Sequence, residues 1–173
     1  MKFEVKTDLT KQDFQSYYQL NQKVHAPAAF MVNKYGGIVG VIFAVVLTIV
    51  ILVYRLWTSK SVMIPYCIFM ALLIALPFVN RWLLNRMYEA SRKSLKAEYR
   101  ATDSGVESTT ETSKNVYTWF AFCELYHSGA YYYLYVDKAH AIVLPERSFT
   151  QGDPAAFGPF VEEKTGLKFK EIK

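Results

Sequence analysis

Between Ile142 and Pro154 the chain reads IVLPERSFTQGDP. Three branched aliphatics run into Pro145, and a carboxylate and a guanidinium follow at once as Glu146 and Arg147. Asp153 lies a few residues on and His140 just upstream. Charges of both signs near a histidine, at the end of an apolar strand, are the types an acid–base site or a ligand-binding pair would use. The same stretch also suits a plain corner. Pro145 removes a ladder donor, Ser, Thr, Gly and Asp favour a turn, and Phe149 can fold back onto the core. The corner is the preferred reading, with Glu146 and Arg147 as the candidate ligand or partner contact.

A second candidate is YYYLY, Tyr131 to Tyr135. In a strand, Tyr131, Tyr133 and Tyr135 share one face, and Tyr132 and Leu134 the other. One set must be core, and an outward row of three tyrosines would form a contact patch for a partner. His25, His127 and His140 have no ligand-spaced companions, so no metal site is expected. Cys67 and Cys123 form neither a disulfide framework nor a zinc pattern. No nucleophile elbow, phosphate loop or HExxH helix is present. The expectation is a protein without catalytic residues or cofactor. The rival is a membrane-tethered enzyme with an uncommon site built from Glu146, Arg147, Asp153 and His140.

The elements that carry these residues are dominated by two apolar runs. The chain has 173 residues, 52% of them hydrophobic. Gly36–Trp57 holds no charge before Arg55, and Ser61–Asn80 holds none. Each reaches the roughly 20 residues that a helix needs to cross a bilayer. The expected organisation is a cytoplasmic strand and helix over 1–35, spans over 36–57 and 61–80, a basic amphipathic stalk over 81–100, and a β domain over 97–173. No cleavable leader precedes the first run, so it is expected to act as its own insertion signal. Basic residues crowd the flank after the second span, where residues 81–100 hold six bases against two acids. That asymmetry predicts a multi-pass protein of the cell (inner) membrane with both termini in the cytoplasm. Arg81, Arg86, Arg92 and Lys93 are the candidate contacts to anionic lipid. The segment 101–173 carries seven bases against ten acids, which excludes nucleic acid as a partner. Gly36, Gly37 and Gly40, with Ala71 and Ala75, permit close helix approach, either within the hairpin or in a homodimer.

Outside the spans, KFEVKT alternates as a half-exposed strand. Thr10 caps a following helix, with Asp13 in its first turn, and Pro27 ends it. After residue 97 the period is two, giving about five strands, with Gly105 in a hairpin loop of three or four residues. A last helix starts behind Asp153-Pro154 and stops at Gly166. Pro159 raises the alternative that it starts at Gly158-Pro159.

This order, with EYRATDSGV, the tryptophan of VYTWFAFCEL, YYYLYVDKAHAIVLPERSF and the closing helix, resembles the YcxB-like membrane proteins of bacteria. The resemblance implies two spans and a cytoplasmic domain that ends in an apolar strand, Pro, a basic pair, Phe and a short helix. Glu146 departs from that pattern and leaves Arg147 alone as the basic residue. Strands closed by one helix are also reminiscent of pleckstrin-homology-like domains. The expected class is thus an α+β membrane protein: a transmembrane hairpin plus a small antiparallel β domain closed by a C-terminal helix. Its expected role is to bind a protein partner or lipid headgroup, or to serve as an accessory subunit of a transporter.

Overall fold

The structure is a computed structural model that describes residues 2–53, 60–92, 95–111 and 113–172. Contacts divide the chain into two compact units, Met1–Asn21 with Tyr88–Lys173, and Gln22–Met87.

Strand β1 (Phe3–Asp8) opens the first unit, and helix α1 (Lys11–His25) starts there. Residues Phe3 to Asp8 pair antiparallel, without a break, with Ala101 to Lys96 of β2 (Lys96–Thr102). The Thr7 hydroxyl reinforces this pairing by donating to the Ala97 carbonyl at 3.1 Å. Strands β3 (Gly105–Thr110), β4 (Lys114–Tyr117) and β8 (Phe149–Gln151) complete a five-stranded sheet in the order β4-β3-β2-β1-β8. The second sheet has the order β7-β6-β5-β9, from β5 (Glu124–Ser128), β6 (Tyr131–Tyr135), β7 (Ala141–Pro145) and β9 (Phe169–Glu171). All its pairings are antiparallel except β5 with β9. Among the described residues nine strands replace the six expected, because β8 and β9 are too short to leave a periodic signature and a helical turn over Trp119–Ala121 splits one expected run into β4 and β5.

Alternation along the first sheet separates two surfaces. Outward, Lys6 pairs with Glu98 at 2.7 Å and Arg100 with Glu4 at 3.1 Å, a cross-strand charge pattern typical of a solvated face. Inward, Phe3, Val5, Ala101 and Val106 join the core, together with Trp119, Tyr132, Leu134 and Leu144. Helix α4 (Pro154–Thr165) fills the remaining space with Phe157, Phe160 and Val161. Phe157 is fully buried, 5.3 Å from both Phe3 and Tyr132 and 5.2 Å from Phe149, ring centre to ring centre. The Asp153 carboxylate caps α4 by accepting from the Ala155 amide at 3.0 Å, and Gly166 ends it with φ 72°. The helix begins at Pro154 and not at Gly158-Pro159. It runs through Pro159, forgoing one amide bond while its apolar face stays buried.

The β2–β3 hairpin is tighter than expected, with only Asp103 and Ser104 between paired Thr102 and Gly105. Gly105 has the positive φ expected of it, and a second constraint adds to that. At φ 150° its missing Cβ would lie 2.2 Å from the Tyr117 carbonyl oxygen, so the β4 backbone occupies the space a side chain would need.

The second unit contains α2 (Pro27–Val53) and α3 (Lys60–Ser91) up to Met87. Helix α2 begins at Pro27, the residue that ends α1, and so extends nine residues ahead of the expected span. The end of that span, Arg55 to Trp57, lies outside the described residues. Three contacts set an antiparallel register: Gly40 against Leu73, Phe43 against Phe69 at 5.6 Å, and the Thr48 hydroxyl with that of Tyr66 at 2.8 Å. A Cβ on Gly40 would fall 2.8 Å from Leu73 Cδ2, so this glycine serves approach within the hairpin. Gly37 has open space around it, and Ala71 and Ala75 are exposed. Helix α3 stops at Ser91 and β2 starts at Lys96, so the expected stalk over 81–100 is shorter. Both helices are long and apolar enough to cross a membrane, and only 11% and 0% of their apolar windows are buried. Core helices of a water-soluble domain would be mostly buried; these face outward with Ile, Val, Leu and Phe.

Replacing Phe157 by Ala is expected to cost about 3–5 kcal/mol. The loss should appear as a lower thermal unfolding midpoint of the β domain in detergent. Phe120→Ala, at a position 93% exposed, should change stability by less than about 0.5 kcal/mol.

Candidate functional site

The corner that the sequence marks is held by a residue 134 positions away. Asp13 occupies the third position of α1, where its carboxylate accepts from the Thr10 amide at 2.7 Å and the Thr10 hydroxyl at 2.8 Å. Thr10 Oγ1 in turn accepts from the Asp13 amide at 3.3 Å, forming a capping box with Asp in place of Glu. The same carboxylate accepts from the Tyr131 hydroxyl at 2.6 Å and from the Arg147 guanidinium. Asp13 is 2% exposed, whereas Arg147 is 55% exposed. Burial pushes the Asp13 carboxyl up, but hydrogen bonds from Tyr131, Thr10 and Arg147 outweigh it and hold the group below the usual carboxylate range. Arg147 also lies over the Tyr131 ring. Half of the Glu146–Arg147 pair is therefore engaged in tying α1 to the second sheet.

Glu146 turns the other way. Its Oε1 lies 3.3 Å from His127 Nε2, and Glu171 Oε1 lies 2.9 Å from His127 Nδ1. The imidazole stacks on Tyr132 at 4.7 Å. A neutral ring can donate to one of these carboxylates, an imidazolium to both. This cluster joins β5, the β7–β8 corner and β9.

The tyrosines divide between faces as the alternation requires. Tyr132 joins the core between the sheets. Tyr131, Tyr133 and Tyr135 face α1, where Tyr17 stacks on Tyr133 at 6.4 Å and tilts against Tyr135 at 6.5 Å. Tyr133 and Tyr135 are 1% and 0% exposed, so the row is covered by the chain's own N-terminal helix. Burial also raises both phenols well above the ordinary value.

The four residues of the enzyme reading are not gathered. His140 bonds Asp137 at 2.8 Å in the β6–β7 turn, at the far end of β7 from Glu146. Asp153 caps α4, Arg147 meets Asp13, and Glu146 meets His127. Among the described residues no group of His, Cys, Asp and Glu could hold a metal.

Of the basic candidates, Arg81 and Arg86 lie on α3, and the Arg86 guanidinium stands 5.3 Å over the exposed Trp82 ring. On α2, Lys34 stands 5.2 Å over Tyr35. The Gly40–Leu73 register puts Lys34 and Tyr35 level with Val79 and Phe78, just ahead of Arg81 and Trp82. Arg92 follows α3 and lies 3.9 Å from Glu89. Lys93 lies outside the described residues.

A cleft that no motif marks opens between the inner face of the first sheet and β7, the edge strand of the second. Its volume is about 410 Å³. One wall carries Tyr99, Ser108, Thr110, Asn115 and Tyr117; the other carries Phe14, Leu95, Val136, Ile142 and Val143. None of the described lining residues is Asp, Glu, Lys or Arg. Burial raises the phenols of Tyr99 and Tyr17, which keeps both neutral at physiological pH. Two other recesses, of about 80 and 310 Å³, lie instead among the charges of the first sheet, including Lys6 and Glu98. A signal for the cleft was present in the sequence: Ser108, Thr110 and Asn115 occupy inward alternate positions where a two-sheet core calls for apolar side chains.

Residues 101–158 match the family model described as YcxB-like protein. That segment is similar to the YcxB-like proteins. No curated protein and no solved structure matches the chain. The YcxB-like segment holds β3 to β8, with His127, Tyr131, Glu146 and Arg147, and ends within α4. Asp13 and Glu171, which engage Arg147 and His127, lie outside it. The YcxB-like segment is thus closed at both flanks by residues of the adjoining chain.

Asp13→Ala is expected to destabilise the domain by about 1–3 kcal/mol, since it removes a helix cap and two cross-element hydrogen bonds. Because the folded carboxyl lies below its unfolded value of about 3.9, its stabilisation is complete above that pH and lost as pH falls through the folded value. Acid titration of the unfolding midpoint should therefore be steeper below about pH 4 for the parent than for the variant.

Proposed function

We propose that the chain is a membrane-anchored binding module of the cell membrane, with a pleckstrin-homology-like domain and both ends in the cytoplasm. The observation that carries this reading is the pairing of β1 with β2 across the two long helices. Strands that hydrogen-bond in one sheet share one compartment, so the helices between them cross the bilayer an even number of times. The basic flank assigns that compartment to the cytoplasm. Lys34, Tyr35, Arg81, Trp82 and Arg86 supply the aromatic and cationic groups favoured where a helix leaves the hydrocarbon. Arg81, Arg86 and Arg92, with Lys93, would also hold anionic headgroups, each contributing about 1 kcal/mol.

Binding is favoured over catalysis by what the charged residues do. Glu146, Arg147, Asp153 and His140 each bond a different neighbour, and a cleft of about 410 Å³ lies apart from Glu146, Arg147 and Asp153. Nine strands in two sheets, closed by α4, also meet the strand number a pleckstrin-homology-like domain needs.

Cys123 is exposed on the domain and Cys67 lies in α3. In a Cys67→Ser variant, a membrane-impermeant maleimide should label Cys123 in inverted vesicles and leave it unlabelled in intact cells. Labelling in intact cells would overturn the cytoplasmic assignment.

A further inference from the structure

We propose that the cleft beside β7 is a binding site for an uncharged amphiphile, a molecule with an apolar body and one or two hydrogen-bonding oxygens. The inference rests on the binding-module reading and names the ligand class. Three observations carry it.

The first is volume. About 410 Å³ falls in the range of small-molecule sites and is far larger than the voids packing leaves in a core. The second is the absence of fixed charge. The chain is 20% Asp, Glu, Lys and Arg, yet the described lining contains none of them. His140 also lines the cleft but is already bonded to Asp137 at 2.8 Å, so a phosphate, carboxylate or ammonium would give up hydration with no free opposite charge among the described lining residues, which is costly. A neutral molecule meets no such barrier.

The third is the arrangement of the polar wall. Tyr99, Ser108 and Asn115 are direct register partners across β2, β3 and β4, so they stand in one row on one face. The backbones of adjacent strands lie about 4.8 Å apart, so the row brings a phenol, a hydroxyl and an amide from three neighbouring strands onto one wall. These groups both donate and accept, and so can match a carbonyl, an ether or a hydroxyl. Ser108 is 5% exposed and its hydroxyl hydrogen-bonds the Tyr99 phenol, which fixes both groups on the cleft wall and leaves each a further bonding position for a ligand oxygen. Ile142, Val143, Phe14 and Leu95 opposite supply the apolar wall for the body of the ligand.

Such a molecule could reach the cleft from the bilayer, as an uncharged lipid, or from water, as a soluble aromatic; the recognition chemistry is the same. The test uses the full chain in nanodiscs and photo-crosslinking by benzophenone, an uncharged aromatic ketone. Its anionic analogue 4-benzoylbenzoate is the control, and adducts are mapped by peptide mass spectrometry. Benzophenone should label peptides containing Leu95–Tyr99, Ser108–Tyr117 and Val136–Val143 saturably, at least tenfold more than the carboxylate does. Ser108→Leu, which fills the cleft and removes a central hydroxyl, should abolish that labelling. Ala141→Trp obstructs the same space from the β7 side and serves as an independent block if the first variant unfolds, as judged by circular dichroism. Equal labelling by the carboxylate, or adducts unchanged in a folded blocking variant, would overturn the proposal. Displacement by dioleoylglycerol in the bilayer assigns a lipid source, and displacement by aqueous coumarin a soluble one; label that neither displaces also counts against the site. Cys123 accessibility is read in parallel on native membranes carrying the same chain, so a failed anchor reading shows there and a failed cleft shows only in the adduct map.

Discussion

The pairing of β1 with β2 constrains everything else in this chain. Thr7 and Ala97, which bond across it, are 90 positions apart, and most of the described residues between them belong to α1, α2 and α3. A strand at the start of the sequence therefore completes a sheet whose other members come after the hairpin. Without β1, the inner face of β2 would lose Phe3 and Val5 as neighbours, and β8 would lose its only pairing partner in the sheet order. The sheet and the two long helices are topologically one problem.

Electrostatics is used locally and for structure. Asp13 is buried, yet it remains a carboxylate because four donors converge on it from a helix start, a strand and a corner. Its bonds bring Tyr131 and Arg147 under the start of α1, and Tyr17 then lies over Tyr133 and Tyr135. The outward charges of the first sheet pair across strands and keep that face in water. Between these charged regions lies a cleft whose described lining holds no Asp, Glu, Lys or Arg, so the domain offers different surfaces to different chemistry.

Much of this could be read from residue types. Two uncharged apolar runs, the Thr10 cap, the break at Pro27, and the Asp153–Gly166 limits of α4 follow from local rules, and the structure has each of them. Three-residue strands such as β8 and β9 carry no periodicity, and the stalk was drawn too long because no Gly or Pro marks the end of α3 before residue 100. The candidate site was legible only in part. YYYLY gave the two faces correctly, but which face is covered depends on α1, more than a hundred residues away. The Asp13–Arg147 bond is equally nonlocal. The cleft is composed of ordinary serines, threonines and tyrosines whose meaning comes from register alone.

The interrupted sheet also orders events during synthesis. The ribosome releases β1 and α1 first, and their hydrogen-bonding partners do not exist until the hairpin has been made and placed. A pairing of such large sequence separation forms late, after the cost of closing the intervening loop has been met. A nascent chain whose helices entered the lipid in an odd number would strand its first segment on the wrong side and leave the sheet edge bare. Were both helices to enter a bilayer, the pairing of β1 with β2 would require the two strands to emerge on one side, so only a chain threaded an even number of times could close this sheet.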